Sequence, residues 1–220
     1  MPETLPVENR KSIAPAEVLS AFRQTITNRQ TLGYALCCGG VWGAMFAFVF
    51  TSQQMFTDIF KLGHYFPLAF AGVAVGVAIA GFVNSRLVGR LGMRVMSHAA
   101  LLAFALVSVI LLIAVKLHML PLPLFMALSM LMMFSFGLMM ANFTALAMEP
   151  HGHIAGTASS LYGSITTLLG IGVGALIGQS YDGTLLPFAT GFFICALVAL
   201  AIAAVTEKGR LFRPHHTTVN

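Results

Sequence analysis

The amino-acid sequence predicts an all-α membrane protein with six transmembrane helices. Of its 220 residues, 58% are hydrophobic and only 9% are charged, whereas a soluble domain carries about 25% charged residues. The charges are confined to short stretches between long apolar windows, and no window alternates in the manner of a β-barrel strand. The mean hydropathy of +0.87 suits a chain solvated mostly by lipid. These observations exclude a water-soluble globular protein, a disordered chain and a disulfide scaffold.

Residues 1–30 are predicted to form a cytoplasmic N-terminal segment. Its first half is polar and contains Glu3 and Glu8, unlike the basic start and apolar stretch of a signal peptide. In Pro15–Arg29, apolar residues then recur at helical spacing. They are Val18, Leu19, Phe22 and Ile26. This spacing predicts a short amphipathic helix on the inner leaflet, with a plain solvated linker as the alternative.

Residues 31–206 are predicted to form the transmembrane domain. Six windows without Asp, Glu, Lys or Arg divide it, and each has at least the roughly 20 residues that a helix needs to cross the hydrocarbon core. The predicted spans, in order, are Leu32–Phe50, Phe66–Val83, Ala99–Val115, Leu122–Leu146, Ala155–Ile177 and Leu185–Val205. Residues 207–220 are predicted to form a cytoplasmic tail.

The distribution of lysine and arginine predicts that both termini are cytoplasmic. In that orientation ten cations lie inside and only Lys61 and Lys116 lie outside, and the reverse orientation would invert this bias. The ten are Arg10, Lys11, Arg23, Arg29, Arg86, Arg90, Arg94, Lys208, Arg210 and Arg213. The net charge of +5 therefore indicates topology and contact with membrane lipid. Nucleic-acid binding is not predicted, because the cations are scattered without interleaved aromatics. The predicted location is the inner (plasma) membrane.

No catalytic or cofactor-binding motif is evident. Cys37, Cys38 and Cys195 lie inside predicted spans and are expected to be packing residues, without a disulfide or metal. Residues 149–153 read Glu-Pro-His-Gly-His, and residues 215–216 are histidines, but a catalytic metal site normally has about three ligands with supporting partners. Neither a phosphate-binding loop nor a nucleophile motif occurs. The sequence therefore predicts no metal, no cofactor and no enzyme.

The connection after the second span carries three arginines among small and apolar residues. It runs from Asn84 to Arg94 and includes Arg86, Arg90 and Gly92, with glycine suited to a tight turn between membrane helices. The guanidinium groups either bind carbonyls, carboxylates or lipid phosphates across the inner face or act only as positive-inside anchors. Spacing alone leaves both interpretations open.

Four stretches resemble the major facilitator superfamily and, within it, the bicyclomycin-resistance-type (Bcr/CflA) drug:proton antiporters. Residues 81–94 resemble the second-half copy of the superfamily's signature cytoplasmic loop. Residues 142–163 are similar to the junction of the tenth and eleventh antiporter helices, and residues 178–184 resemble the outer turn that follows. Residues 2–6 resemble the segment at which that family leaves its sixth helix.

The resemblance implies a twelve-helix transporter of which this chain supplies helices seven to twelve. The first signature loop, the fifth-helix antiporter motif and the first-half acidic residues ascribed to proton coupling would then be missing. In the loop that is present, Gly89 stands where the first-half motif carries an acidic residue. The implied partners are amphipathic small-molecule drugs, protons, membrane lipid, and either a first-half polypeptide or a second copy of this chain.

In this family a drug site lies between the halves, and it should be apolar and aromatic with a few polar groups. Trp42, Phe46 and Gln53 fall on one stripe of the first span and are expected to face the cavity, with contact to lipid or a neighbouring helix as the alternative. In the methionine-rich fourth span, Met139 and Asn142 share a face. That face is expected either to line the cavity or to form an interhelical hydrogen bond.

The fifth span combines polar and small residues. Tyr162 and Thr166, one turn apart, are expected to contribute a polar wall to the cavity. Small residues at helical spacing are expected to permit close helix packing, so that helices can rock against each other. They are Gly156, Ser160, Gly163, Gly170, Gly174 and Gly178.

The predicted function is therefore multidrug efflux by drug:proton antiport. The chain would act as a C-terminal half that needs a partner half or dimerises with itself. The alternative is a non-transporting, truncated membrane protein that only packs or binds. Growth in the presence of drug, with and without a co-expressed first half, distinguishes these functions.

Overall fold

The computed structural model describes residues 15–212, which form seven α-helices and no strand. The helices are α1 (Pro15–Thr27), α2 (Arg29–Gln54), α3 (Phe66–Leu91), α4 (Met93–Lys116), α5 (Leu122–Met148), α6 (Ala155–Gln179) and α7 (Leu186–Thr206). A π-helical turn, Met55–Ile59, continues α2, and the 3-10 turns Gly63–Tyr65 and Glu149–Ile154 precede α3 and α6. Six of the helices, α2 to α7, are long and apolar enough to cross a membrane. The prediction of a six-span all-α membrane protein is confirmed.

Capping and turn-forming residues set several helix ends. The side-chain carbonyl of Asn28 accepts a hydrogen bond from the backbone N–H of Thr31 at 3.0 Å and caps the start of α2. Proline lies in the first turn of α3, α5 and α7, where a missing N–H leaves no helical hydrogen bond unmade. These local signals start α2, α3, α5 and α7 near the beginning of their charge-free windows.

The connection between α3 and α4 is a single residue, so the expected loop at residues 84–94 is wrong in its extent. Asn84, Arg86 and Arg90 belong to the last turns of α3, and only Gly92 separates the two helices. Its φ of +82° lies in a region that glycine adopts without strain. The reason is that a charge ends the membrane-crossing window but not the helix, because arginine is a good helix former at the interface.

α2 is the central helix of the bundle. It packs against α5, α6 and α7, while α4 packs on α5 and α7, and α3 packs mainly on α5. The edge helices are therefore α3 and α6, each only 22% buried along its most apolar window, compared with 61% for α2. Because lipid tails are as apolar as these side chains, close packing and hydrogen bonds hold such helices together.

Phenylalanine rings fill the bundle interior at the end opposite the signature arginines. The ring of Phe125 on α5 lies 4.9 Å from Phe60, 5.5 Å from Phe56 and 6.1 Å from Phe188, measured between centroids. Stacked, tilted and edge-on contacts of this kind are favourable beyond the area that they bury. They join α5 to α7 and to the π-helical end of α2.

α1 packs on the bundle with a narrow face. Ala21 and Thr25 are buried, and the helix contacts α2 and α6. Leu19, Phe22 and Ile26 are exposed by 67%, 42% and 36%. α1 thus presents a continuous apolar side that no other described residue covers.

Candidate functional site

An aromatic stripe runs along α2 on the side towards α5 and α6. Trp42 stacks on Phe46 with ring centroids 5.3 Å apart, and Phe46 stacks on Phe50 at 5.7 Å. Phe136 of α5 meets the Trp42 ring edge-on at 5.1 Å. Trp42 and Phe46 are half-buried, and Phe50 is 45% exposed. Gln53, one turn beyond, is exposed, so the stripe ends in an exposed amide.

Glycines of α6 lie directly on this stripe. A Cβ at Gly170 would lie 2.8 Å from the Cβ of Trp42, and one at Gly174 would lie 2.5 Å from the Cβ of Phe46. Gly178 faces Phe50, with 3.5 Å between the corresponding Cβ positions. Glycine at the first two positions is therefore what lets α6 approach α2.

The same helix also carries small residues with open space beside them. A Cβ at Gly156 or Gly163 would meet no atom within 4 Å. Ser160, between them, is exposed, as is Thr167 one turn further on. We call these four residues the open face of α6. They lie towards the end of the bundle that carries the signature arginines, hereafter the basic end.

Met139 and Asn142 lie inside the bundle. Met139 is fully buried, and Asn142 is 2% exposed. The Asn142 amide donates to the side-chain oxygen of Asn84 and to the carbonyl of Leu138, both at 2.7 Å. The first bond ties α5 to α3, which is the interhelical arrangement that the sequence left open for this amide.

Tyr162 and Thr166 are also buried against neighbouring helices. The Tyr162 hydroxyl donates to the sulfur of Cys38 on α2 at 2.9 Å, and lies 3.1 Å from the hydroxyl of Thr144 on α5. Thr166 donates to the Tyr162 carbonyl of its own helix. Tyr162 therefore links three helices. The neighbouring Cys37 is buried, forms no disulfide and donates from its thiol to the carbonyl of Ala199 on α7.

Arg94 is the centre of a polar network at the basic end. Its Nε donates to Glu207, just after α7, at 3.2 Å, and its Nη2 donates to Glu149, just after α5, at 3.4 Å. The side chains of Arg94 and Glu207 are only 10% and 15% exposed. Gln30 of α2 donates to Glu149 at 3.0 Å and to the carbonyl of Leu146 at 2.7 Å. This network holds the basic ends of α2, α4, α5 and α7 together.

A second arm of the network runs through Tyr34 and His98. The Tyr34 hydroxyl donates to Glu207 at 2.5 Å and lies 3.4 Å from Nε2 of His98. The other ring nitrogen, Nδ1, accepts the backbone N–H of Phe212 at 3.2 Å. His98 thus bonds through an unprotonated Nδ1 and joins α4 to α2 and to the chain after α7.

The other signature arginines do not enter this network. Arg86 and Arg90 are exposed, and neither pairs with a carboxylate among residues 15–212. The Arg86 guanidinium lies 4.9 Å from the centroid of the Phe82 ring of the same helix. The sequence left open whether these arginines bind partners across the inner face or act only as positive-inside anchors. Arg94 binds two carboxylates, as the first interpretation expects.

The turn between α6 and α7 is held by Asp182. One of its carboxylate oxygens accepts from the Thr184 hydroxyl at 2.7 Å and from the Thr184 backbone N–H at 3.0 Å. These hydrogen bonds hold the pKa of Asp182 below its ordinary value, because they favour the charged form. The Thr184 hydroxyl oxygen in turn accepts the N–H of Leu186, the first residue of α7, at 3.2 Å.

Within the described part of the chain, no three His, Cys, Asp or Glu side chains come together as a metal site. The side chain of His153 and the histidines at 215–216 lie outside that part, as do residues 2–6.

Two curated relatives match nearly the whole chain. It is 27% identical over 208 residues to the "Uncharacterized MFS-type transporter YdgK" of Bacillus subtilis, a match that covers 94% of this chain and 51% of that protein. It is 26% identical over 208 residues to the "Bicyclomycin resistance protein homolog" of Haemophilus influenzae, covering 91% and 50%. The resemblance to the major facilitator superfamily is confirmed. The chain spans about half the length of the curated relatives it matches. No family model and no solved structure matches.

The seven cavity candidates fall into two groups. Trp42, Phe46 and Gln53 lie on the accessible stripe of α2. The other four are buried where helices meet. They are Met139, Asn142, Tyr162 and Thr166. The sequence did not predict the contacts of Tyr34 with His98 and Glu207. For Glu207, the only signal in the sequence is that a carboxylate follows the last charge-free window.

Proposed function

We propose that the chain is the C-terminal six-helix half of an inner-membrane drug:proton antiporter, and that it exports amphipathic drugs when paired with a first half. The name of the Haemophilus influenzae relative supports drug resistance as the role. The match to half of each relative supports a second half as the partner. The observation that carries the proposal is the open face of α6.

The open face is suited to a second helix. The side of α6 that would contact lipid carries bulky apolar side chains, such as Leu168, which is 73% exposed. Gly156, Ser160 and Gly163 instead leave room for close backbone approach, as small residues do between membrane helices. Together with the low burial of α3 and α6, this favours a partner that covers both edge helices.

The proposed drug contacts are the three accessible residues of α2. Trp42 and Phe46 offer stacked rings, and Gln53 adds an amide that can orient a polar group of the drug. The four buried candidates are proposed to support this wall, because Tyr162 and Asn142 hold α6 and α3 to the central helices.

The proposal assigns proton coupling to the first half. In the part of the chain described, the carboxylates of Asp58 and Asp182 lie at one end of the bundle, and those of Glu149 and Glu207 lie at the other. No carboxylate lies in the middle of α2 to α7. A carboxylate that alternates between protonated and charged states at membrane depth would therefore come from the partner.

A chimera tests the proposal. The chain is fused behind the first six helices of the Haemophilus influenzae relative and expressed in a drug-sensitive bacterium, and growth is measured in bicyclomycin. The chain alone and the first six helices alone are expressed in parallel at matched membrane levels. We expect resistance from the chimera only. Resistance from the chain alone would indicate a functional self-dimer, and no resistance from any of them would favour a protein that only packs or binds.

Paired substitutions examine the open face within the same chimera. Gly163→Phe places a ring where the structure has space and should abolish resistance by blocking the partner. Leu168→Phe, on the bulky side of α6, is the matched control and should retain it. Equal resistance in both variants would mean that the open face of α6 does not contact the partner half.

A further inference from the structure

An apolar groove lies between α2 and α7 at the basic end. Its volume is about 350 Å³. The walls are Leu32 and Leu36 on α2, and Ala201, Ile202 and Val205 on α7. Val205 is 71% exposed, so the groove opens to the outside of the bundle.

A single cation closes the end of this groove. Arg29 lines its mouth and is exposed, and its Nη2 donates to the carbonyl of Thr206 at 2.6 Å. That bond fixes the guanidinium at the end of α7 and leaves its other N–H groups available. Glu207, the next residue, is turned towards Arg94 and Tyr34. Arg29 therefore pairs with no carboxylate among residues 15–212.

α1 places this mouth at the depth of the lipid headgroups. α1 ends at Thr27, two residues before Arg29, and exposes Leu19, Phe22 and Ile26 on one side. A helix with such an uncovered apolar side lies in the membrane interface, with that side among the first acyl carbons. The guanidinium of Arg29 then lies at headgroup level, and the apolar groove extends from it into the hydrocarbon.

The charge around the mouth is positive. Lys208 and Arg210 are exposed just after α7, and Arg23 is exposed on α1. The nearby Glu149 is bonded to Arg94 and Gln30. An anion is thus attracted to Arg29 by several cations, and a guanidinium can bind phosphate oxygens through two parallel hydrogen bonds.

We propose that this groove binds one anionic phospholipid, with its phosphate on Arg29 and one acyl chain against the walls of Leu, Ile and Val. The groove does not suit a further helix, because α2 and α7 already touch at its floor: a Cβ at Gly33 would lie 2.0 Å from the Thr206 hydroxyl. The site depends on the membrane topology of the chain and is independent of drug transport.

Native mass spectrometry of the full chain in detergent tests this site by titration with phosphatidylglycerol and, separately, phosphatidylcholine. Arg29→Gln should weaken binding of the first phosphatidylglycerol about tenfold or more, because one charge-assisted phosphate contact is lost. Arg90→Gln, which removes an exposed charge from the end of α3, away from the groove, should leave it within about twofold. Phosphatidylcholine should bind the unaltered protein weakly, and its affinity should change little in either variant.

Two further experiments distinguish binding in the groove from attraction to positive charge alone. Ala201→Phe fills the groove without altering a charge and should weaken phosphatidylglycerol binding, whereas Leu197→Phe, one turn away on the lipid side of α7, should not. Glycerol 3-phosphate, a headgroup without acyl chains, should not compete. Equal affinity for the two lipids, unchanged binding in both Arg29→Gln and Ala201→Phe, or an equal loss in Arg90→Gln would overturn the proposal. If Arg29→Gln does not fold, Ala201→Phe decides.

Discussion

Adding one methyl group at Gly174 should force α6 away from α2. The new Cβ would lie 2.5 Å from the Cβ of Phe46, 3.1 Å from the carbonyl oxygen of Gly43 and 3.2 Å from the nitrogen of Ala47. Two of these three atoms belong to the backbone of α2, so a side-chain rotation cannot relieve the clash. Overpacking of this kind costs about 1–3 kcal/mol.

Gly172 provides the matched control on the same helix. A Cβ there meets no atom within 4 Å. Gly172→Ala and Gly174→Ala gain the same helix propensity, about 1 kcal/mol, so the difference between the two variants isolates the clash. For a chain of this size that difference corresponds to a gap of roughly 2–12 °C in Tm.

The assay is thermal unfolding of the detergent-solubilised protein, followed by tryptophan fluorescence. Trp42 is the only tryptophan, and it lies against α6 at Gly170, so its emission reports the contact under test. We expect Gly174→Ala to unfold well below Gly172→Ala. Identical melting temperatures would refute the close α2–α6 contact on which the position of the aromatic stripe depends.

Three further predictions concern polar contacts. Arg94→Ala should lower the free energy of unfolding by about 3 kcal/mol or more, measured by denaturant titration, because two carboxylates lose their largely buried partner. Asn142→Ala, combined with Asn84→Ala in a double-mutant cycle, should give a coupling of about 0.6–2 kcal/mol. Thr184→Val should raise the pKa of Asp182, followed by NMR, because the hydroxyl that stabilises the carboxylate is gone. The Asp182 contribution to stability, present above the ordinary carboxyl pKa and lost as the pH falls, should then shrink.

Each of these predictions has its own control. Arg90→Ala removes an exposed arginine of the same signature and should change stability by less than about 0.5 kcal/mol. A coupling near zero between Asn142 and Asn84 would contradict the interhelical hydrogen bond. An unchanged pKa of Asp182 in Thr184→Val would mean that the hydrogen bond from the Thr184 hydroxyl does not hold in solution.

The sequence predicts the fold well because lipid imposes one simple rule on the chain. A segment that crosses the hydrocarbon must exclude charge over about 20 residues, so gaps between charges reveal the spans. The same rule explains the wrong extent of the loop at residues 84–94. Arg86 ends the charge-free window, but the helix continues past it to Leu91.

Only part of the candidate site can be predicted from local patterns in the sequence. Helical spacing correctly groups Trp42 with Phe46, because both lie on one helix and neighbours on a helix are set by local geometry. The ion pairs of Arg94 with Glu149 and Glu207 join residues 55 and 113 positions apart. Such pairs depend on how the helices assemble, and no local pattern encodes that.

The one-residue link at Gly92 couples two parts of the molecule mechanically. α3 and α4 both pack on α5 but scarcely touch each other, so Gly92 is their main connection. Any change in the tilt of α3 displaces this pivot and, with it, the first turn of α4. That turn carries Arg94, which holds Glu149 and Glu207. A displacement of the edge helix α3 should therefore strain the ion pairs of Arg94 that close the basic end.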